Sequence, residues 1–147
     1  FTGGMSETFQ LDLSSFDTSN VTDMSGMFVM SGQISESFTL DVSNFDTSKV
    51  TNVNSIFASC SKLTDVTFGN NWMSNKSITS FEMKHSPLTK ASILDLANKI
   101  ADKSDTSVYT GTQTVKLKSS QQSLFTEDEL TALANQFTAK NWTLAWA

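Results

Sequence analysis

The chain has 147 residues, ten Lys, no Arg and fifteen Asp and Glu, giving a net charge of −5 and a pI near 4.6. An acidic chain without Arg lacks the positive surface that neutralises phosphates, no apolar run approaches the ~20 residues that span a bilayer, and one Cys with one His excludes a disulfide framework or a standard zinc cage. Hydroxyls stand in place of charge: 42 residues are Ser or Thr, more than a quarter of the chain, while eleven Phe and three Trp argue against disorder.

In chain order the first feature is a repeat. Residues 11–28 read LDLSSFDTSNVTDMSGMF, and residues 40–57 read LDVSNFDTSKVTNVNSIF. The offset is 29, ten of the eighteen positions are identical, and every apolar position stays apolar. Within a unit, Leu11 and Leu13 flank Asp12, which predicts a short strand with its apolar side inward. Phe16 is expected to plug the space beneath. Asp17-Thr18-Ser19 is turn and cap chemistry, because these side chains bond nearby backbone N–H groups. Val21, Met24, Met27 and Phe28 recur about every three residues, which predicts one or two helical turns.

The apolar-x-apolar pattern returns at Val66-Thr67-Phe68, 26 residues after Leu40, and then at Phe81-Glu82-Met83, Val115-Lys116-Leu117 and Trp142-Thr143-Leu144. Between these strands lie two predicted helices. One runs over about 89–101 behind Pro87, with Ile93, Leu94, Leu96, Ala97 and Ile100 inward. The other runs over about 127–139, opened by the capping pair Thr126 and Glu129, with Leu130, Leu133, Ala134 and Phe137 inward. A unit this small cannot bury its apolar side alone, whereas stacked units can. The expected fold class is therefore α/β: a solenoid of short parallel strands over residues 1–83, closed by a helix-strand cap over 84–147 in the same continuous domain. Phe1 stands where Phe28 and Phe57 stand, so the chain is expected to enter mid-repeat, as the C-terminal piece of a longer protein.

The tract at 11–28, echoed at 40–57 and followed by Ala58-Ser59-Cys60, resembles the BspA-type leucine-rich repeat of bacterial surface proteins. Pro87-Leu88-Thr89 with its helix, then Thr126 to Leu130 with the second helix, and Asn141 to Ala145, resemble the closing segment of such proteins in phage and prophage genomes. The resemblance implies a right-handed leucine-rich-repeat solenoid displayed outside the cell or on a virion. It implies attachment to a host-surface protein, matrix protein or glycan, and it brings no catalytic residues and no cofactor. Two departures affect the register: the spacing runs 29 and then 26, and Gly32 to Phe38 looks like a small insertion.

The residues themselves offer few chemical groups. Cys60 reads as a core thiol and His85, ahead of Ser86-Pro87, as a loop residue; nothing pairs them as nucleophile and base. Asp12 with Asp41, and Asp17 with Asp46, occupy equivalent positions that stacking would bring to about 5 Å. That spacing invites calcium, which takes six to eight oxygens, but repeated Asx turns account for the same residues. No metal is expected, and a glycosidase pair of carboxylates has no third element behind it. The sequons at Asn20, Asn75 and Asn141 are read as turn residues rather than glycan acceptors. The candidate binding surface is the row of outward strand residues Asp12, Asp41, Thr67, Glu82, Lys116 and Thr143, together with Trp72, which reads equally as an exposed platform or as core. The expected function is a non-enzymatic recognition or adhesion module. A structural spacer, or a tail or virion component, is the alternative, and a carbohydrate-active enzyme a more distant one.

Overall fold

In the computed structural model, residues 11–30 and 36–147 are described. The readings made at Phe1 and across Gly32 to Ser35 lie outside them. The elements are β1 (Phe38–Val42), β2 (Leu63–Phe68), β3 (Ser80–Glu82), α1 (Lys90–Lys99), β4 (Gln113–Leu117), a 3₁₀ turn (Ser119–Leu124), α2 (Glu127–Ala139) and β5 (Trp142–Trp146). All strand pairings are parallel, in two open sheets: β1–β2, and β3–β4–β5 in that order. The chain is thus a mixed α/β fold built on short parallel strands.

Alternation places the core. Phe38, Leu40 and Val42 of β1 point inward and meet Leu63, Val66 and Phe68 of β2, while Asp41 and Thr67 stand opposite each other outside. Phe81, Val115 and Leu144 repeat this arrangement across the second sheet. Aromatic rings link the two regions: Phe28 stacks on Phe57 at 5.3 Å, and Phe57 and Phe68 both meet Phe81 edge-on, at 6.0 and 6.3 Å.

The same parallel relation continues outside the strands, carried by hydroxyl and amide groups. Met24, Gly26 and Phe28 donate their N–H groups to the carbonyls of Asn52, Asn54 and Ile56 at 2.9–3.0 Å. Thr18 is buried, and its Oγ1 accepts from the Asp46 N–H (2.8 Å) and donates to the Asp46 carbonyl (3.2 Å). Its repeat counterpart Thr47, equally buried, accepts from the Met73 N–H at 3.0 Å. A buried threonine in the Asp-Thr-Ser turn therefore ties one pass of the chain to the next, and the neighbouring Asp and Ser close the turn itself.

Helix α1 replaces a further strand beside β2. Its N-cap is Thr89, whose Oγ1 accepts from the Ser92 N–H and also bonds the Asp65 carboxylate. Ser92, buried, accepts from the Val66 N–H (2.9 Å) and donates to the Val66 carbonyl (3.1 Å), while Asp95 accepts from the Phe68 N–H (3.0 Å). Side chains of α1 thus satisfy backbone groups along a sheet edge that would otherwise be open. The far end of α1 is closed by Lys140, whose ammonium donates to the carbonyls of Ala97, Asn98 and Ile100 at 2.7–3.1 Å. Ser92→Ala leaves both Val66 groups buried and unpaired and is expected to destabilise the fold by about 1–3 kcal/mol, read as a lower urea midpoint with an unchanged m-value.

Helix α2 begins at the Thr126–Glu129 capping box, and Glu127, Asp128 and Glu129 in its first turn suit the helix dipole. Leu133 and Phe137 fill the space against β5. The Lys90–Glu129 ion pair joins the two helices at 2.7 Å across their exposed sides, where solvent screening leaves such a pair little weight in stability.

Four expectations are corrected. Leu11 to Leu13 forms no strand: Leu13 is buried but Leu11 is 37% exposed, and Ser14 N–H turns back to Asp12 Oδ1. Phe16 does not plug a space beneath the sheet; it is 49% exposed, whereas its counterpart Phe45 is 4% exposed, because no described residues cover the outer side of the first pass. Val21 to Phe28 is not helical: Asp23 forms a parallel bridge with Asn52, and the chain then turns at Gly26. The neighbour of Lys116 on β5 is Ala145, while Thr143 pairs with Thr114, two residues off the expected row on the same side of the sheet. Trp146, at the end of β5, is partly buried against the core.

Among the described residues five non-glycines take a left-handed backbone, and one of them has a glycine at the equivalent position of the other repeat. Gly26 has φ +63°, and the equivalent Ser55 has φ +57° without being glycine. Left-handed backbone costs an L-residue roughly 1–2 kcal/mol, so Ser55→Gly is expected to stabilise the chain by about 1 kcal/mol. Thermal unfolding is the readout, and Gly26→Ser should shift the midpoint in the opposite direction.

Candidate functional site: a hydroxyl-lined groove

Nine Asx-type bonds recur through the described residues. In each, the side-chain oxygen of an Asp or Asn accepts from the backbone N–H two residues on: Asp12, Asp17, Asp23, Asp41, Asp46, Asn52, Asn75, Asp102 and Asp105, at 2.7–3.1 Å. Most partners are Ser, which explains the Asp-x-Ser spelling of the chain. These bonds hold Asp12, Asp17, Asp46, Asp102 and Asp105 below the usual carboxylate range, through side-chain and backbone bonds from the paired serine. The equivalent carboxylates at 12/41 and 17/46 are thus each spent on an Asx bond, Asp41 from within β1 and the other three from turns. Among the described residues no three His, Cys, Asp or Glu side chains gather as metal ligands.

The predicted binding residues separate. Asp41 and Thr67 share the outer side of β1–β2, but Asp12 sits in a turn. Glu82 and Lys116 lie on the other sheet, ion-paired at 2.7 Å, and Lys84 takes the second Glu82 oxygen at 2.9 Å. The two ammoniums hold Glu82 below its ordinary range. Trp72 is no platform: it is 0% exposed and packs on Phe68 (5.3 Å) and Phe81 (6.2 Å). Its neighbours explain the burial, since Asn71 and Met73 adopt φ +57° and +63° and turn the indole inward, while backbone bonds to Lys99 and Ala101 hold the residue between passes. Its Nε1–H has no hydrogen-bond partner among the described residues.

His85 and Cys60 are likewise engaged separately. His85 Nδ1 accepts from the Ser59 N–H at 3.4 Å in an exposed turn, while Cys60 donates inward to the Phe28 carbonyl, and burial pushes its thiol up to about 11. The sequon residues serve internal bonds. Asn75 donates to the Ser48 carbonyl, Asn141 donates to the Lys103 and Gly111 carbonyls, and Asn20 accepts from Lys49.

What the fold does assemble is an open groove of about 630 Å³. Its walls come from three successive turns: 43–48 after β1, 70–74 after β2, and 101–109 after α1. Bonds between the turns fix its shape. Met73 N–H reaches Thr47 Oγ1, Asn75 Nδ2 reaches the Ser48 carbonyl (2.8 Å), Ala101 N–H reaches the Trp72 carbonyl (2.8 Å), and Tyr109 Oη donates to the Ser74 carbonyl (3.1 Å). Gly69 is required for this approach: a Cβ there would stand 2.8 Å from the Ser43 carbonyl oxygen. The polar lining is Asn44, Asp46, Ser48, Asn70, Asn71 and Asp102, with Tyr109 as the partly exposed ring. Asp46 and Asp102 are ionised at neutral pH, and no lysine belongs to the lining. Lys99 stands at the rim, donating to Asn70 Oδ1 at 2.9 Å.

One residue behind the groove was not foreseen. Lys103 follows Asp102 as Thr47 follows Asp46, and it is fully buried. Its ammonium donates to the carbonyls of Ile78 (2.6 Å) and Asn75 (2.9 Å) and lies over the rings of Trp142 (4.8 Å) and Tyr109 (5.4 Å). The Asp-Lys-Ser spelling at 102–104, parallel to Asp-Thr-Ser, was the available signal.

No curated protein and no solved structure matches the chain. A family model described as "Mycoplasma protein of unknown function, DUF285" matches residues 4–93, a span containing the whole 11–28/40–57 repeat, β1 to β3 and the first turns of the groove. With more than half of its length matched, the chain belongs to the DUF285 family.

Proposed function

We propose that the chain is a non-enzymatic recognition module from a BspA-like repeat protein displayed outside the cell or on a virion. In this reading it is a short leucine-rich-repeat solenoid that attaches to a host or matrix ligand through its stacked turns. The observation that carries the reading is the groove: a pre-formed 630 Å³ concavity lined by short polar side chains, on turns held to one another by internal hydrogen bonds. Sites of about 300–1,000 Å³ with a few fixed polar groups are the usual form of ligand recognition. Short Ser, Asn and Asp side chains also lose little rotamer freedom when a ligand orders them. In this reading the groove binds without catalysis, and neither Cys60 nor His85 lines it.

The test is attachment of the 147-residue chain to immobilised matrix proteins and cultured epithelial cells, compared with two variant sets. Asn71→Gly with Asp102→Asn alters the groove while keeping the left-handed backbone and the Asx bond. Asp41→Ala with Thr67→Ala alters the outer side of β1–β2. The reading predicts a loss of at least about tenfold for the groove set, the worth of one charge-assisted hydrogen bond, and none for the sheet set. Attachment unchanged in both, or absent from every surface, contradicts recognition and favours the spacer.

A further inference from the structure

We infer that the groove takes an uncharged oligosaccharide; this rests on the recognition reading above and names its ligand class. The first argument is the kind of atom offered. Asn71 presents a whole carboxamide, Asn70 its amide N–H groups (its oxygen takes Lys99), Asn44 its amide oxygen (its N–H groups donate to the Leu13 and Phe16 carbonyls), Ser48 a hydroxyl, and Asp46 and Asp102 carboxylates. A carboxamide both donates and accepts, and a carboxylate offers about four acceptor sites of which the Asx bond occupies one. A sugar hydroxyl also donates and accepts, so a ring bearing adjacent hydroxyls matches this lining group for group. Charge-assisted O–H···O⁻ bonds are the strongest such a ligand can form without carrying charge itself.

The second argument is exclusion by charge. The lining itself carries two ionised carboxylates and no cation, while Lys49, Lys99 and Lys140 stand outside it, so an anionic group entering the groove meets carboxylates first. Sialylated, sulfated and phosphorylated ligands are therefore disfavoured. The third argument is shape. Asn71, at φ +57° on the exposed rim of the turn, has no side-chain bond to the described residues and leaves its carboxamide open to a ligand. Tyr109 is anchored by its hydroxyl and by Lys103 beneath the ring, and it adds an apolar surface for the C–H groups of a pyranose. A peptide ligand would require matched apolar pockets, and the only other ring in the lining, Phe45, is buried.

The experiment is an array of neutral, amino-bearing and anionic oligosaccharides probed with the biotinylated 147-residue chain on streptavidin, so that four copies compensate for a weak single site. Binding to neutral members is expected. Asp46→Asn with Asp102→Asn should reduce it at least tenfold, and Asn71→Gly several-fold, with circular dichroism unchanged because Asn keeps the Asx bond and Gly keeps the backbone. Binding confined to anionic members, or to none, overturns the inference. If matrix-protein attachment still falls with the groove variants in that case, the recognition reading stands and only the saccharide is wrong. If the groove variants change neither array nor attachment, both readings fall together.

Discussion

Phe45→Ala is expected to destabilise the chain by about 3–5 kcal/mol, whereas Phe16→Ala, the same position one repeat earlier, is expected to change stability by no more than roughly 0.5 kcal/mol. The two residues share a sequence context but not an environment. Phe45 is 4% exposed and stacks with Phe28 at 6.3 Å, while Phe16 is 49% exposed. Truncating Phe45 removes buried area and leaves a cavity between passes that packed rings prevent from collapsing. Against a typical total of about 5–15 kcal/mol the loss is large enough to populate the unfolded state at elevated temperature. Equal effects at the two positions in urea titrations would show that burial is not passed along the repeat in the way the packing indicates.

The second large effect concerns Lys103. Replacing it with Met removes the donor to the Ile78 and Asn75 carbonyls and is expected to cost about 2–4 kcal/mol at pH 7, the penalty of two buried acceptors less the relief of not burying a charge. The pH dependence has a definite sign. Burial pushes the ammonium down to about 8 from an ordinary 10.5. Below pH 8 the lysine is protonated in both states, and its contribution is constant. Between pH 8 and 10.5 the unfolded chain holds a proton that the folded chain has released, so raising the pH favours the fold, by up to about 3 kcal/mol. Lys140, also pushed down by burial, acts in the same direction, while Cys60, pushed up to about 11, opposes the rise above about pH 9. Urea unfolding of the natural chain at pH 7, 8.5 and 10 should therefore show rising stability, and Lys103→Met should flatten much of that rise. A natural chain that loses stability over this window as fast as the variant would contradict the burial of a charged lysine.

The elements that were legible in the sequence are those whose signals are local. The Thr126–Glu129 pair marks the start of α2, and Thr89 marks that of α1 within a residue. Apolar-x-apolar triplets located β2, β3, β4 and β5 because each strand has one buried side. Leu11 to Leu13 carries the same pattern and is not a strand, since a strand needs a neighbour and its pattern says nothing about whether one is present. Trp72 was ambiguous for a related reason: only the left-handed turns at Asn71 and Met73 decide which way the indole points. The groove was missed because its walls lie about 26–30 residues apart in sequence and meet only when turns stack. Its residues are the commonplace Ser, Asn and Asp of any turn, and the outward strand row drew attention instead.

The claim on which the rest depends is that hydroxyl side chains of one pass hold backbone groups of the next. Amide hydrogen exchange resolved by residue tests it most directly, because four amides have hydroxyl or carboxylate acceptors in another pass or in α1. These are Asp46 (to Thr18), Met73 (to Thr47), Val66 (to Ser92) and Phe68 (to Asp95). The account predicts that all four exchange slowly, alongside ladder amides such as Val115, and that Thr47→Val releases Met73 while leaving Val66 protected. Exchange of Asp46 and Met73 at open-chain rates in the natural protein would contradict it.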